Sequence, residues 1–264
     1  MKNVFTSAAI AVTTACLVSS CGTSVPADYT GVPFEDARYT DGAQRIPGRV
    51  HCALYDTGGE GISYHDTSPA NHGSGELNPL DGSYLHAFRV DEAVDTSYTK
   101  SADDIDNSPY NFVTPPMEQL YIGWTEPGEW TRYTVRVERA GTYAVSLLYT
   151  SNRGGTVTLE VLGEGSGASE SGSATSSGSA TSSGSEIGIA NAIEGTITST
   201  YRDDDPVGMR QWHHWNIAPL GEITLRKGLQ VLTLRTTGEG QMNYAWLDFE
   251  AAGTPAAAAT AAVN

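Results

Sequence analysis

The chain has 264 residues, of which 39% are hydrophobic and only 17% are charged. Its 15 Lys and Arg residues against 31 Asp and Glu residues give a formal net charge of −16. A protein that binds nucleic acid needs a basic face, because much of its affinity comes from neutralising phosphates. The charge balance therefore argues against a nucleic-acid partner. The 29 glycines and 13 tyrosines favour strands and turns over a bundle of helices.

The N-terminus carries the pattern of a secretory signal. Lys2 precedes a short uncharged run, which ends in small residues followed by Cys21. The sequence Val-Ser-Ser-Cys at 18–21 is similar to a bacterial lipobox, in which the cysteine becomes the lipid-modified first residue. We therefore predict a signal peptide over residues 1–20, lipidation of Cys21 and an extracytoplasmic protein held to the outer membrane or cell surface only by its lipid. Secretion after cleavage elsewhere is the alternative.

Composition divides the rest of the chain into three parts, the second of which contains a low-complexity segment. Residues 21–44 are polar and rich in turn formers, which predicts a tether, and residues 45–250 form the predicted domain. Within the domain, residues 163–186 contain only Gly, Ser, Ala, Thr and Glu. Such a segment buries too little apolar surface to offset its ordering entropy, so we expect a disordered surface loop, with an interdomain linker as the alternative. Residues 251–264 form an Ala-rich tail.

From residue 46 onward the pattern is that of an all-β protein. Alternate residues of the run 130–137 are polar and apolar, which is the period of a half-buried strand. Residues 138–141 resemble a hairpin connection between two such runs. Many short strands without a long amphipathic helix predict a β-sandwich jelly roll of one domain. The predicted strands are 49–55, 120–124, 130–137, 142–149, 156–162, 212–217, 222–225, 230–236 and 243–249.

Residues 66–118 fit this pattern poorly and read as one long inserted loop. A connection of this length in a compact domain is usually functional or contains structure that the sequence hides. Its acidic run at 103–106 predicts a solvated loop, with a calcium site as the alternative.

Five short motifs, in order, resemble the family 6 carbohydrate-binding modules or the closely related family 35. The first is Ile-Pro-Gly-Arg-Val at 46–50 with the glycine-rich stretch that follows it to residue 66. The others are Gly-Trp-Thr-Glu-Pro-Gly-Glu-Trp-Thr-Arg-Tyr at 123–133, Gly-Thr-Tyr at 141–143, Trp-His-His-Trp at 212–215 and Met-Asn-Tyr-Ala-Trp-Leu-Asp-Phe at 242–249.

The resemblance implies a jelly roll that binds polysaccharide and has no catalytic residues. It places the carbohydrate site at Trp124, Trp212 and Asn243, joined by His65 or Asp66. The chemistry of these residue types agrees, because an aromatic ring stacks on the C–H face of a pyranose and an amide offers both donors and an acceptor to its hydroxyls. The tryptophans within alternating runs, at positions 130, 215 and 246, are expected in the core instead.

The resemblance also raises the question of calcium. The family usually holds a structural calcium with glutamates at two positions that here are His51 and Ala53. Hard cations prefer carboxylate oxygens, which neither residue supplies. Asp56 and Asp248 remain as candidate ligands, so calcium stays an open alternative. The neighbouring His213 and His214 do not predict a zinc site, because adjacent residues on a strand face opposite sides.

The sequence thus predicts a non-catalytic protein that binds a polysaccharide or oligosaccharide, as a monomer, and acts with glycan-degrading enzymes in trans. Two alternatives remain. A glycoside hydrolase needs two carboxylates across the scissile bond, and Glu126, Glu129 and Asp66 are candidates. A scaffolding lipoprotein with a decayed sugar site is the other.

Overall fold

The computed structural model describes residues 25–164 and 187–253. The predicted signal peptide, the lipidation site Cys21, most of the predicted low-complexity loop and nearly all of the Ala-rich tail lie outside the described residues. Within them the all-β prediction is confirmed, since the chain forms two six-stranded sheets. The helical elements of the described part are short 3-10 helices at Cys52–Leu54, Ala102–Asp104 and Gly208–Trp212. None of the described helices is long and apolar enough to cross a membrane.

The strands are numbered in chain order: β1 Gln44–Ile46, β2 Gly48–His51, β3 Tyr64–His65, β4 Thr96–Tyr98, β5 Leu120–Ile122, β6 Trp130–Val137, β7 Gly141–Ser151, β8 Gly155–Glu164, β9 Ile187–Ile197, β10 Asn216–Leu225, β11 Gly228–Gly238 and β12 Met242–Ala251. The first sheet has the order β1-β6-β11-β8-β9, with β3 beside β6. The second has the order β10-β7-β12-β5-β4, with β2 beside β12. All pairs are antiparallel except β1 with β6.

The core lies between the two sheets. Tyr133 and Leu232 come from the first sheet, Leu147 and Phe249 come from the second, and none of the four is more than 1% exposed. Alternate residues of β6 from Thr131 to Val137 are buried, and residues 230–234 of β11 are buried on both faces, so the inward side of each strand is removed from water. This burial holds the strand ends, and therefore the loops between them, in fixed relative positions.

Some strand predictions were wrong. Residues 138–141 do not close a hairpin, because β6 pairs with β11 in the first sheet while β7 pairs with β10 in the second. The predicted strand 49–55 ends at His51 and turns into a 3-10 helix. Trp212 lies at the end of a 3-10 helix, and β10 begins only at Asn216.

Residues 25–44, predicted as a tether, pack against the sandwich over much of their length. Tyr29 is 7% exposed and its hydroxyl donates a hydrogen bond to Asp56 Oδ2 at 2.7 Å. Val32 pairs with Thr57 through two backbone hydrogen bonds. The apolar side chains in this polar segment explain the difference, because they cover part of the outer face of the first sheet.

Asp56 fixes this N-terminal segment to the first sheet. Its side chain is buried and accepts hydrogen bonds from the Tyr29 hydroxyl, the Thr134 backbone N–H at 2.8 Å and the Thr134 hydroxyl at 2.6 Å. Burial raises the pKa of this carboxyl, while the hydrogen bonds from Thr134 and Tyr29 act in the opposite direction.

We expect Asp56→Ala to lower the free energy of unfolding by about 3 kcal/mol, because it leaves buried donors of Thr134 and Tyr29 without their acceptor. Tyr29→Phe removes one of the three bonds and is expected to cost about 1 kcal/mol. Urea unfolding of both variants measures the difference. Equal losses in the two variants would contradict a role for Asp56 as the common acceptor.

Candidate binding site

Three of the residues predicted to bind carbohydrate line one groove. The groove encloses about 380 Å³ at the ends of β5, β12 and the 3-10 helix Gly208–Trp212. Trp124, Trp212 and Asn243 all line it, and the two indoles are 38% and 39% exposed. We call this the aromatic groove. Its lining comprises Leu77, Tyr121, Trp124, Met209, Trp212, His213, Gln241 and Asn243.

Trp124 is held in a conformation that non-glycine residues rarely adopt. Its φ is +50°, in the left-handed region, where a side chain costs of order 1 kcal/mol or more. Hydrogen bonds fix the backbone on both sides: Gly123 N–H donates to the Asp95 carbonyl at 2.9 Å, and the Thr125 hydroxyl donates to the Met242 carbonyl at 3.2 Å. The tertiary structure therefore holds an exposed indole in a strained position, a feature common at ligand sites.

Trp212 is fixed through its backbone. Its carbonyl accepts hydrogen bonds from the Thr150 hydroxyl at 2.6 Å and from Asn243 Nδ2 at 2.8 Å. These donors lie on β7 and β12, the two central strands of the second sheet. The position of the indole is thus tied to the rigid part of the sandwich although the residue lies in an irregular segment.

Asn243 presents an oxygen acceptor. Its Nδ2 donates to the Thr150 hydroxyl at 2.9 Å as well as to the Trp212 carbonyl, so both amide hydrogens are used. Its Oδ1 receives no hydrogen bond from the residues that the structure describes. A Cβ built on Gly123 would lie 2.6 Å from this oxygen, so only glycine leaves it room.

His213 also lines the groove and is oriented by a buried carboxylate. Asp106 Oδ1 lies 2.9 Å from His213 Nδ1 and accepts a hydrogen bond from Trp215 Nε1 at 2.7 Å. Its Oδ2 accepts one from the Lys100 backbone N–H at 2.7 Å. The prediction of a solvated loop was wrong for Asp106, which is fully buried, because it carries these bonds. Asp103 and its neighbour Asp104 are exposed as predicted.

His214 turns away from the groove, although residues 213–215 do not lie in a strand. Its Nε2 lies 2.8 Å from Asp205 Oδ2, and its Nδ1 lies 3.0 Å from the Thr200 carbonyl. Burial raises the pKa of Asp205, but hydrogen bonds from Arg210, Val207 N–H and His214 outweigh it and hold the pKa at about 2. The two histidines thus contact different carboxylates, Asp106 and Asp205.

Sequence reasoning missed several residues of the groove. Leu77 comes from the inserted loop and is 52% exposed, and Met209 precedes Trp212 and is 68% exposed. Both are isolated apolar residues in polar, irregular segments. That isolation was the one available signal, since neither lies in a periodic run.

The other two predicted site residues lie elsewhere. His65 and Asp66 line a second cavity of about 20 Å³, large enough for a water molecule, together with Glu129 and the half-buried Trp130. Gly123 lines this small cavity while Trp124 lines the aromatic groove, so the two adjoin at this backbone. His65 Nδ1 lies 2.5 Å from Glu60 Oε1. Of the other tryptophans, those at 215 and 246 are buried in the core as predicted.

The small cavity is acidic. Burial raises the pKa of Asp66 to about 7, with further increases from the charges of Glu129, Asp95 and Glu60, while the Ser68 N–H lowers it. Burial likewise raises the pKa of Asp95 to about 6.

Glu129 accepts hydrogen bonds from two loops around the cavity. Its Oε1 accepts hydrogen bonds from Thr67 N–H at 3.1 Å and the Thr67 hydroxyl at 2.6 Å, and its Oε2 accepts one from Glu126 N–H at 2.7 Å. Both oxygens therefore have intramolecular donors.

The structure does not bring the two candidate calcium ligands, Asp56 and Asp248, together. The carboxylate oxygens of Asp56 accept hydrogen bonds from Tyr29 and from Thr134 of the first sheet. Asp248 lies on β12 of the second sheet, and its Oδ2 is 3.8 Å from Arg49 Nε. Ala53 is buried in a 3-10 helix and offers no ligand. Among residues 25–164 and 187–253, no three His, Cys, Asp or Glu side chains are grouped so that they could hold a metal ion.

Comparison with known proteins returned structures but no sequence relatives. No family model and no curated protein matches the chain. The similar solved structures are mainly family 6 carbohydrate-binding modules, the family that the motifs resemble.

One is a β-1,3-glucan-binding module from Bacillus halodurans, at 15% identity and a TM-score of 0.41, covering 79% of this chain and 99% of the module. Another, from Clostridium stercorarium in complex with cellobiose, has 12% identity and a TM-score of 0.39, covering 80% and 99%. A family 43 arabinoxylan arabinofuranohydrolase from Bacillus subtilis has 9% identity and a TM-score of 0.42, covering 83% of this chain and 33% of the enzyme. At these values the likeness assigns neither a family nor a ligand to this chain.

The raised pKa of Asp66 predicts a pH-dependent stability. An unfolded Asp has a pKa of about 3.9, so between that value and about 7 the folded state holds a proton that the unfolded state has lost. The free energy of unfolding therefore falls as the pH rises through this window. We expect Asp66→Asn to be more stable than the parent by about 1 kcal/mol near pH 8, after solvent screening, and equal to it near pH 4.

Thermal or urea unfolding at several pH values measures this difference. Asp91→Asn, at an exposed carboxylate outside the cavity, is the matched control. A stability gain in Asp66→Asn that is the same at every pH would contradict the assignment.

Proposed function

We propose that the protein binds a neutral polysaccharide or oligosaccharide in the aromatic groove and does not cleave it. The observation that supports this is the convergence of two exposed indoles, Trp124 and Trp212, with the free amide oxygen of Asn243. The indoles offer flat apolar faces to pyranose rings, and the amide oxygen accepts a hydrogen bond from a hydroxyl. Stacking supplies affinity and the polar groups supply orientation.

The charge of the groove favours a neutral ligand. Among the described residues that line it, none is Asp, Glu, Lys or Arg, and His213 is the one imidazole. The chain as a whole carries a charge of −16, which repels long polyanions. A neutral glycan meets neither an attractive nor a repulsive charge there and is selected by shape and hydroxyl geometry.

Binding without hydrolysis is supported by where the carboxylates lie. A glycosidase places two carboxyl groups about 5 to 10 Å apart around the scissile bond. The candidates Asp66 and Glu129 line the small cavity, which is far too small for a sugar ring, and Glu129 is engaged by the loops. A hydrolase therefore has less support than a binding protein.

The predicted lipid at Cys21 would keep the bound glycan at the cell surface, where enzymes acting in trans could reach it. The lipobox-like sequence at 18–21 supports the anchor, and the chemistry of the aromatic groove supports the glycan. A scaffolding role without a ligand does not explain why two tryptophans are exposed or why the backbone of Trp124 is strained.

The tryptophans provide the first test. Trp124→Ala and Trp212→Ala should each weaken binding of a neutral glycan by about tenfold or more, because each removes one stacking face. Tyr201→Ala removes an aromatic that is 54% exposed and lies outside the groove, so it is the matched control. Binding to an array that includes β-1,3-glucan and cello-oligosaccharides is measured for all three, with unfolding temperatures to confirm the fold.

The same experiment separates the alternatives. It is run with calcium and with a chelator, and reducing ends are assayed in parallel. We expect a hit that is independent of calcium and produces no new reducing ends. New reducing ends would overturn binding without cleavage, and a hit unaffected by both tryptophan variants would overturn the groove as the site.

Gly123 tests the amide oxygen. A methyl group at this position would lie 2.6 Å from Asn243 Oδ1, so Gly123→Ala should displace or cover the acceptor and weaken glycan binding by about tenfold. Gly141→Ala is the matched control, because a Cβ there meets nothing within 4 Å. Unchanged binding in Gly123→Ala would show that the amide oxygen takes no part.

A further inference from the structure

A third cavity, lined by arginines, lies between the N-terminal segment and the turn joining β1 and β2. It encloses about 430 Å³. We call it the basic cleft. Its lining includes Phe34, Arg38, Tyr39, Arg45, Arg49 and His51. Three arginines around one cavity are unusual in this chain, which has only 15 Lys and Arg residues in total.

The basic cleft is separate from the aromatic groove. Gly48, which lines the cleft, lies opposite Phe249 on β12, whereas Asn243 of the groove lies near the start of the same strand. Six residues of strand at about 3.4 Å each put the two positions about 20 Å apart. A ligand in one cavity therefore does not occupy the other.

The guanidinium groups of the cleft have unused donors. Arg45 lies 3.6 Å from Glu138 and Arg49 lies 3.8 Å from Asp248, distances that are too long for hydrogen bonds. Arg38 has no carboxylate within 4 Å among the described residues, and its guanidinium stacks on a tyrosine ring at 4.0 Å. The side chains of Arg45 and Arg49 are 65% and 51% exposed.

Other arginines of the chain are used differently. Arg89 is buried and donates to the Tyr55 carbonyl at 2.6 Å, the Asp56 carbonyl at 3.0 Å and Glu92 at 2.7 Å. Arg210 donates twice to Asp205. These arginines stabilise the fold through hydrogen bonds. In contrast, none of the three guanidinium groups of the cleft donates a hydrogen bond to another described residue.

The carboxylates near the cleft leave its guanidinium donors without hydrogen-bond acceptors. Asp41 is the one carboxylate among the described lining residues. Asp36 lies nearby, but its oxygens accept hydrogen bonds from the Tyr84 hydroxyl and from the backbone N–H groups of Arg38 and Tyr39. Asp41 is thus the one carboxylate in the described lining, and Glu138 and Asp248 pair with Arg45 and Arg49 only at distances too long for hydrogen bonds.

We propose that the basic cleft binds the oxyanion of an acidic saccharide, either the carboxylate of a uronic acid or a sulfate ester. A guanidinium matches two oxygens of either group with two parallel N–H donors. Tyr39, which is 36% exposed, and Phe34 supply apolar surface for the sugar ring that carries the anion. The site is independent of the aromatic groove and adds a second, charge-selective contact to the molecule.

The charge of the whole chain limits the length of this ligand. Charges separated by more than about 8 Å are screened at physiological salt, so one bound anion senses mainly the charges around the cleft. A long polyanion would also meet the acidic surface that gives the chain its charge of −16. The ligand expected is therefore a short acidic oligosaccharide or a single acidic residue in a neutral chain.

The test uses calorimetric titration of the protein carrying Trp124→Ala and Trp212→Ala, so that the aromatic groove is disabled. The probes are trigalacturonate, the same trisaccharide with its carboxyls methyl-esterified, and galactose 6-sulfate. We expect trigalacturonate or the sulfate to bind at millimolar concentration or below and the ester not to bind. Which of the two anions binds distinguishes the carboxylate from the sulfate.

Arg45→Gln is the decisive variant, because this side chain is exposed and stacks on no ring, so the fold should be retained. We expect it to weaken anion binding by about tenfold and added salt to weaken the parent's binding. Arg38→Lys keeps the charge but loses the paired donors and should also weaken binding. Arg153→Gln, at an exposed arginine outside both cavities, should change nothing.

Three results would overturn the proposal: no binding of either anion, equal binding of the ester, or full binding by Arg45→Gln. None of them bears on the aromatic groove, whose neutral glycan is tested separately on the parent protein.

Discussion

The buried carboxylate of Asp106 is the contact on which the candidate site depends. It joins the long inserted loop to the segment after the 3-10 helix, through His213 and Trp215. A buried carboxylate without donors would be strongly unfavourable, so these side chains and the loop must fold together. The segment that carries Trp212 is thereby held in place by packed polar contacts and not by a strand ladder.

The molecule separates rigidity from recognition. The two sheets bury the apolar faces of their strands, and Asn243 and Thr150 extend that rigidity to the Trp212 carbonyl. Irregular segments then supply the exposed apolar groups of the groove, including Leu77 and Met209. A groove of this kind loses little backbone entropy on binding, because the backbone that carries its tryptophans is already fixed.

The distribution of charge gives the two cavities different selectivity. The aromatic groove has no carboxylate, lysine or arginine among its described lining residues, whereas the basic cleft has Arg38, Arg45 and Arg49. Both lie on a strongly acidic molecule, so local hydrogen bonds and stacking must select the ligand against the overall field.

The sequence by itself determined the fold class and three groove residues. The period of two in β6 reports burial of one face, and the motifs that resemble those of family 6 modules marked Trp124, Trp212 and Asn243. Only the tertiary structure decided that His65 and Asp66 line a different cavity, and that residues 138–141 cross between sheets. Local pattern records which side of a strand is buried, whereas the partner of each strand and the meeting of distant loops depend on long-range packing that no local pattern encodes.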